Sequence, residues 1–335
     1  MSRPEASLSE QQELTERLLL LRQLPVLRDL PAAQLAPIAL ALTPVQFGPG
    51  EALADEADAP RSFFLIRDGR VRGERRGRPY GAVEAPASVG LFPMLARGAF
   101  GMRFVAETEV RAYRVDEEVV HEVFEDHFSV LLVLVRGLAD ALIVEFQRTA
   151  GMADDVTPYF EPVRRGAAPL SVVDKIAALR RMRPFAKASV ASLARLAVSL
   201  DEVHLPAGEV LWRRGDPGDY SLLLLDGEVE QAWEGGSSRV VAGFVLGGAE
   251  AVSGVPRSAM AKTVKPTLAL RGTRAAFVDA IEDSFDLAIH FVAYLASAMM
   301  EYWDLRAEHG DRPMQGFAIA GLRTGAVFVP TNDDG

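Results

Sequence analysis

Residues 21–71 lie in register with residues 179–229 at an offset of 158, without a gap. Leu21-Arg22 meets Leu179-Arg180. Ala33, Leu35, Ala36, Ala39 and Leu42 meet Ala191, Leu193, Ala194, Ala197 and Leu200. Gly50-Glu51 meets Gly208-Glu209, and Asp68-Gly69 with Val71 meets Asp226-Gly227 with Val229. Farther on the offset is 157: Glu125-Asp126 and Phe128 match Glu282-Asp283 and Phe285, and Leu138-Ala139 matches Leu295-Ala296. Solenoid repeats recur every 20–50 residues or so, and this period is far longer. A 335-residue chain built this way holds two copies of one domain, each long enough to bury its own core.

Each copy has the same grammar. An amphipathic helix opens it, LPAAQLAPIALAL or VASLARLAVSL, with apolar residues at helical spacing. A short strand follows, then a Pro- and Gly-Glu-containing turn, then two β-rich runs joined by Asp-Gly, which predicts a tight hairpin at Asp68-Gly69 and Asp226-Gly227. Further short strands lead to a long closing helix. The pattern predicts a mainly β fold with flanking helices: two tandem jelly-roll β-barrels. Residues 1–20 read as an N-terminal helical extension, 21–150 as the first domain and 151–170 as a Pro/Gly/Ala-rich linker. Residues 171–305 read as the second domain, and 306–335 as a tail whose apolar FAIAGL and AVFV suit docking on this chain or on a partner.

The order of helix, barrel with P-x-G-E or P-G-E turns, DG-x-V hairpin, cassette and closing helix resembles the cyclic nucleotide-binding domain family over residues 21–145 and 175–302. The tandem looks like the regulatory subunit of the cAMP-dependent protein kinase, and each copy looks like the sensor half of catabolite-activator-type regulators. The resemblance implies a regulatory ligand, cAMP or cGMP, and no resident cofactor. It also implies a cassette in which a helix N-terminus and an arginine hold the cyclic phosphate while a glutamate holds the ribose. In the second copy the cassette is LGGAEAVSGVPRSAMA, which puts Arg257, Ser258, Gly247 and Gly248 at the phosphate. Gly248 stands where the family has its glutamate; Glu250, two residues on, is either the sugar ligand in a reshaped loop or an ordinary acid. Trp303 on the last helix is the base-cap candidate, against a packing role for it and for Tyr294 and Tyr302. The first copy has VGLFPMLARGAFGMRFVA, with Leu91, Phe92, Met94 and Phe100 suited to filling a pocket and with Arg97 and Arg103 lacking the Pro-Arg context. It reads as a fold without ligand.

Other chemistries find little support. No cysteine is present, which excludes disulfides, thiol catalysis and iron–sulfur ligation. There is no P-loop, G-x-G-x-x-G or G-x-S-x-G, and His121 and His127 are six residues apart, the wrong spacing for metal ligands on one helix face. The chain reads as non-enzymatic. A net charge of −10 and the lack of a recognition helix after either barrel argue against nucleic acid. No signal peptide or membrane span is predicted, and the expected location is cytoplasmic. Val163 to Pro169, VRRGAAP, resembles a kinase pseudosubstrate but is more ordinary as an exposed linker. Two functions are compatible with these residues. One is a sensor whose second copy binds a cyclic nucleotide and signals to a protein partner. The other is a scaffold with vestigial pockets, for which a homo-oligomer is a further assembly.

Overall fold

Alternation of apolar and polar residues becomes short antiparallel strands in the computed structural model, which describes residues 8–22, 27, 30–55, 60–98, 101–149, 169–311 and 313. Phe100, most of the 151–170 linker with nearly all of VRRGAAP, and nearly all of the C-terminal tail lie outside the described residues. The first copy comprises α1 (Leu8–Leu21), α2 (Ala32–Ala41), β1 (Thr43–Phe47), β2 (Ala52–Ala54), β3 (Ser62–Asp68), β4 (Arg70–Arg75), β5 (Arg78–Glu84) and β6 (Ala87–Val89). It continues through α3 (Leu91–Ala96), β7 (Met102–Ala106), β8 (Val110–Asp116), α4 (Glu117–Asp126) and α5 (Phe128–Arg148). The second copy repeats the order: α6 (Val172–Arg181), α7 (Val190–Val198), β9 (Asp201–Leu205), β10 (Val210–Trp212), β11 (Tyr220–Asp226), β12 (Glu228–Trp233), β13 (Gly236–Val241) and β14 (Val245–Leu246). After these come α8 (Gly248–Ser253), β15 (Met260–Thr263), β16 (Thr267–Thr273), α9 (Arg274–Glu282) and α10 (Phe285–Glu308).

Strand order confirms that the sequence repeat is a structural one. The first copy has sheets β1-β8-β3-β6 and β2-β7-β4-β5; the second has β9-β16-β11-β14 and β10-β15-β12-β13. Both are jelly rolls of two four-stranded antiparallel sheets. The Asp-Gly signals do something other than close a hairpin. β3 and β4 belong to different sheets, so Asp68-Gly69 and Asp226-Gly227 are corners where the chain crosses between sheets. A glycine is required there: φ is +97° and +98°, and a Cβ would lie 2.3 Å from the Glu109 carbonyl oxygen or 2.4 Å from Thr267 Oγ1. The tight hairpins fall one strand later, β4–β5 and β12–β13, with Gly77 at φ +71° and Gly235 at φ +93°.

Four helices of the second copy start where short polar side chains satisfy their first N–H groups. Ser171 forms a reciprocal capping box with Asp174, and Ser189, Thr273 and Ser284 cap α7, α9 and α10. No single described helix is long and apolar enough to cross a membrane.

The long helices set the arrangement of the two copies. α5 packs on α8, the cassette helix of the second copy, and α10 packs on α3, its counterpart in the first; α5 and α10 also pair with each other. Each copy therefore lends its closing helix to the other. One core runs through both, from Leu35, Leu65 and Leu138 to Leu193, Leu295 and Met299. A smaller cluster, including Trp212, Leu224, Val229 and Ala269, lies in the second jelly roll. Polar contacts tie the exchange. Glu145 on α5, 3% exposed, receives Arg306 of α10 at 2.9 Å, and Arg306 also binds Asp311. Asp304 of α10 takes Arg75 of β4 and, at 3.1 Å, the hydroxyl of Tyr80 on β5. Burial first, then the neighbouring Asp304, pushes the Tyr80 phenol well above its usual range, so it stays a donor.

Removing one partner of a buried pair strands the other. Arg306→Ala is expected to cost about 3–5 kcal/mol, read by urea unfolding of the full chain. Glu145→Leu combined with Arg306→Met should recover most of that loss; a double variant no more stable than Arg306→Ala would show that the pair does not hold the helices.

Candidate functional site

The second cassette is built on a tight, glycine-bounded helix. Gly247 precedes α8 at φ +68°, Gly254 follows it at φ +80°, and both positions are also closed to a side chain by contact. A Cβ on Gly247 would sit 2.3 Å from Arg257 Nη1, and one on Gly254 would sit 2.0 Å from Arg274 Nη1. The helix is only one turn and a half, so its backbone amides and the residues that follow are placed by these two turns.

Arg257 is held by its own domain through both terminal nitrogens, while its buried Nε has no hydrogen-bond partner among the described residues. It is 1% exposed, donating from Nη1 to the Gly247 carbonyl at 3.0 Å and from Nη2 to the Tyr220 carbonyl at 2.6 Å. Its guanidinium carbon lies 3.9 Å from the Trp212 ring centre and 4.8 Å from that of Tyr220. Burial lowers its pKa, and Glu250, Tyr220 and Asp219 pull the other way, in favour of the charge. Main-chain bonds from Arg257 N to the Asp216 carbonyl and from Gly215 N to the Arg257 carbonyl fix the loop that carries it.

Glu250 is the residue whose place the sequence left open. It is 7% exposed, and Oε1 accepts the Ser258 hydroxyl at 2.5 Å and the Ser258 N–H at 3.3 Å. Ser258 was expected to present these donors to a phosphate; here a carboxylate of the same chain takes them. At Gly248 a Cβ would lie 2.8 Å from Val245 Cγ1, so a glutamate there requires Val245 to shift.

Trp303 packs where the helix exchange sends it, against the first copy. Its ring is 4.8 Å from Phe92 on α3, and it is buried. The aromatic over the second cassette comes from the other helix: Phe146 of α5 stands 5.2 Å from Trp233 of β12. Sequence reasoning missed Phe146, yet the offset of 157 that aligns the closing helices pairs it with Trp303. In the first copy Phe92 and Met94 are buried, Arg97 binds Glu117 at 3.1 Å and lies 3.0 Å from His121 Nε2, and Arg103 faces Asp55 and Glu74. Burial and the Arg97 charge lower the His121 pKa. No cluster of His, Cys, Asp or Glu suited to a metal occurs among the described residues.

A cavity of about 530 Å³ opens beside the second cassette, lined among others by Phe146, Gln231, Trp233, Gly248, Glu250 and Ser258. The repeat explains why it lies there. At the offset of 157, Leu91 and Phe92 correspond to Gly248 and Ala249, so the bulk that fills the first copy is missing from the second.

Residues 202–284 match the family model of the cyclic nucleotide-binding domain, and the first copy shares the strand order of the second. No curated protein matches the chain significantly. Among solved structures the chain is similar to a regulatory subunit of a cAMP-independent protein kinase A from Trypanosoma cruzi bound to guanosine, at 13% identity, 84% of this chain, 88% of that one and a TM-score of 0.33. It is similar to the regulatory domain of Toxoplasma gondii protein kinase A with cAMP, at 13% identity, 91% and 98% coverage and a TM-score of 0.32. A cyclic nucleotide-binding-like protein from Brucella abortus aligns at 25% identity over 32% of this chain and 98% of that one, with a TM-score of 0.30.

The bonds at Arg257 make it a structural residue in the absence of any ligand. Arg257→Ala should lower stability by about 3–5 kcal/mol, from two charged hydrogen bonds and the ring contacts it loses. Unfolding monitored by tryptophan emission checks this through Trp212; a loss below about 1 kcal/mol, the worth of one ordinary hydrogen bond, would mean the guanidinium is free for another task.

Proposed function

We propose that the protein is a non-enzymatic regulatory module that passes signals to a protein partner, and that its second cassette is held closed by an internal anion. The observation that carries this reading is the Glu250 carboxylate on the Ser258 N–H and hydroxyl. A cyclic phosphate entering the cassette competes with it. Two unit charges about 4 Å apart repel by about 4 kcal/mol at an effective dielectric of 20, close to a thousandfold in affinity. Arg257 offsets one negative charge, and Glu250 already supplies it, so a cyclic phosphate at the Ser258 donors would have to draw on the other arginines that line the cavity, Arg183, Arg239 and Arg274. A signal of this kind needs a state in which Glu250 is displaced, and a ligand or partner that prefers that state supplies the energy.

Calorimetry on the full chain tests this. Wild type should bind cAMP and cGMP no tighter than millimolar, and Glu250→Ala, which frees the Ser258 N–H and removes the repelling charge, should tighten binding by at least about tenfold. Micromolar cAMP binding by the wild type, or no gain in Glu250→Ala, would sink the internal-anion reading.

A further inference from the structure

We propose that the paired short helices opening each copy form a docking surface for a second copy of this chain, the first-copy pair of one chain seated on the second-copy pair of the other. The apolar surface left outside the core is concentrated there. Of the nine large apolar side chains exposed among the described residues, six lie on α1, α2, α6 and α7: Leu19, Leu40, Val172, Val173, Val190 and Val198. None of them lines the cavity beside the second cassette. They also recur with the repeat. Leu40 of α2 and Val198 of α7 are equivalent at the offset of 158, and they are 67% and 72% exposed. Exposed apolar residues scattered singly need no explanation, but the same position left bare in both copies does.

Each helix pair is held as a unit. α1 packs on α2, where Arg17 Nη1 donates to the Ala39 carbonyl at 3.2 Å, and α6 packs on α7, with Lys175 Nζ on the Leu200 carbonyl. Their inner faces are buried in the core through Leu21, Leu35, Leu179 and Leu193, so only the outer faces are open to a partner.

Charge decides which faces meet. The sequences of α1 and α2 hold three acids and one base, net −2, and those of α6 and α7 hold four bases and one acid, net +3. The charges beside the bare apolar residues have the same signs. Glu16 stands three residues before Leu19 and Arg195 three before Val198, which makes each pair neighbours on its helix surface. Arg195 is exposed and has no ion pair or hydrogen bond among the described residues; Glu16 is exposed, with Arg67 3.8 Å away. Contact between like faces would set carboxylate on carboxylate or guanidinium on guanidinium. Contact of the first with the second sets Glu16 against Arg195.

A face of two short helices is small beside the about 800 Å² per partner of a standard interface, so a stable pair of chains uses both faces of each. The reciprocal exchange of α5 and α10 is the relation that a two-fold between the copies produces, and it presents the two helix pairs equivalently. Two chains meeting through both contacts therefore close as a dimer.

Sedimentation velocity of the full chain tests this, over about 1–200 μM to cover micromolar affinities. The wild type should pass from monomer to dimer with no larger species, and added salt should weaken the dimer. Glu16→Arg and Arg195→Glu should each raise the dissociation constant at least about tenfold, because each sets like charges together at both contacts. The two substitutions in one chain should restore it to within about threefold of wild type, since the pair is then only reversed. Leu40→Lys, which sets a cation on the basic helix pair, should leave a monomer. All three positions are exposed, and circular dichroism with the melting temperature shows that each variant is folded. A chain that stays monomeric throughout overturns the inference. So does a dimer indifferent to both charge reversals, or one that the single reversals weaken and the double does not restore, because the acidic and basic faces then do not meet. Species that keep growing with concentration overturn the closed pair.

Discussion

The exchange of closing helices governs the rest of the molecule. An amphipathic helix of 21 or 24 residues must bury its apolar face, and here each finds the cassette helix of the opposite copy. That choice joins the copies into one core, makes Glu145 and Arg306 buried partners, and decides which aromatic covers which pocket. It also makes the cassettes asymmetric in a simple way. α10 meets Leu91, Phe92 and Met94 and closes; α5 meets Gly248, Ala249 and Ala251 and leaves space.

Much of this was legible in the chain. The 158-residue repeat gave the two jelly rolls: the first five strands of each copy fall at that offset, and α3, β8 and the later helices fall at 157. Arg257 and Ser258 stood out by their place after Val-Pro and do sit in the cassette. Sequence pattern could not show which copy a long helix serves. Trp303 and Phe146 have equivalent positions, and only the packing of α5 and α10 separates their duties. The Asp-Gly corners were misread for a similar reason: the dipeptide supplies a positive φ, and whether the chain then pairs back or crosses to another sheet depends on β7, β8, β15 and β16, remote in sequence. Glu250 was seen as an acid two residues out of place, but a carboxylate folding back onto the amide of Ser258, eight residues on, depends on the path of the loop between them.

The cassette arginine has a structural role of its own. Arg257 keeps its position through bonds to Gly247 and Tyr220 and through Trp212, so its loss would be felt in folding before it was felt in recognition. A buried cation with such partners is held in place by its own domain whether or not an anion is bound.

Covalent linkage gives the helix exchange a different meaning from the one it would have between separate subunits. Two identical chains swapping helices are bound by symmetry to carry identical sites, and any substitution appears in both. Here Phe92 and Ala249 are encoded separately, so one pocket can be sealed as a permanent wedge while its twin stays open. The sealed copy holds the tandem together at any dilution, and the open one is free to diverge in what it recognises.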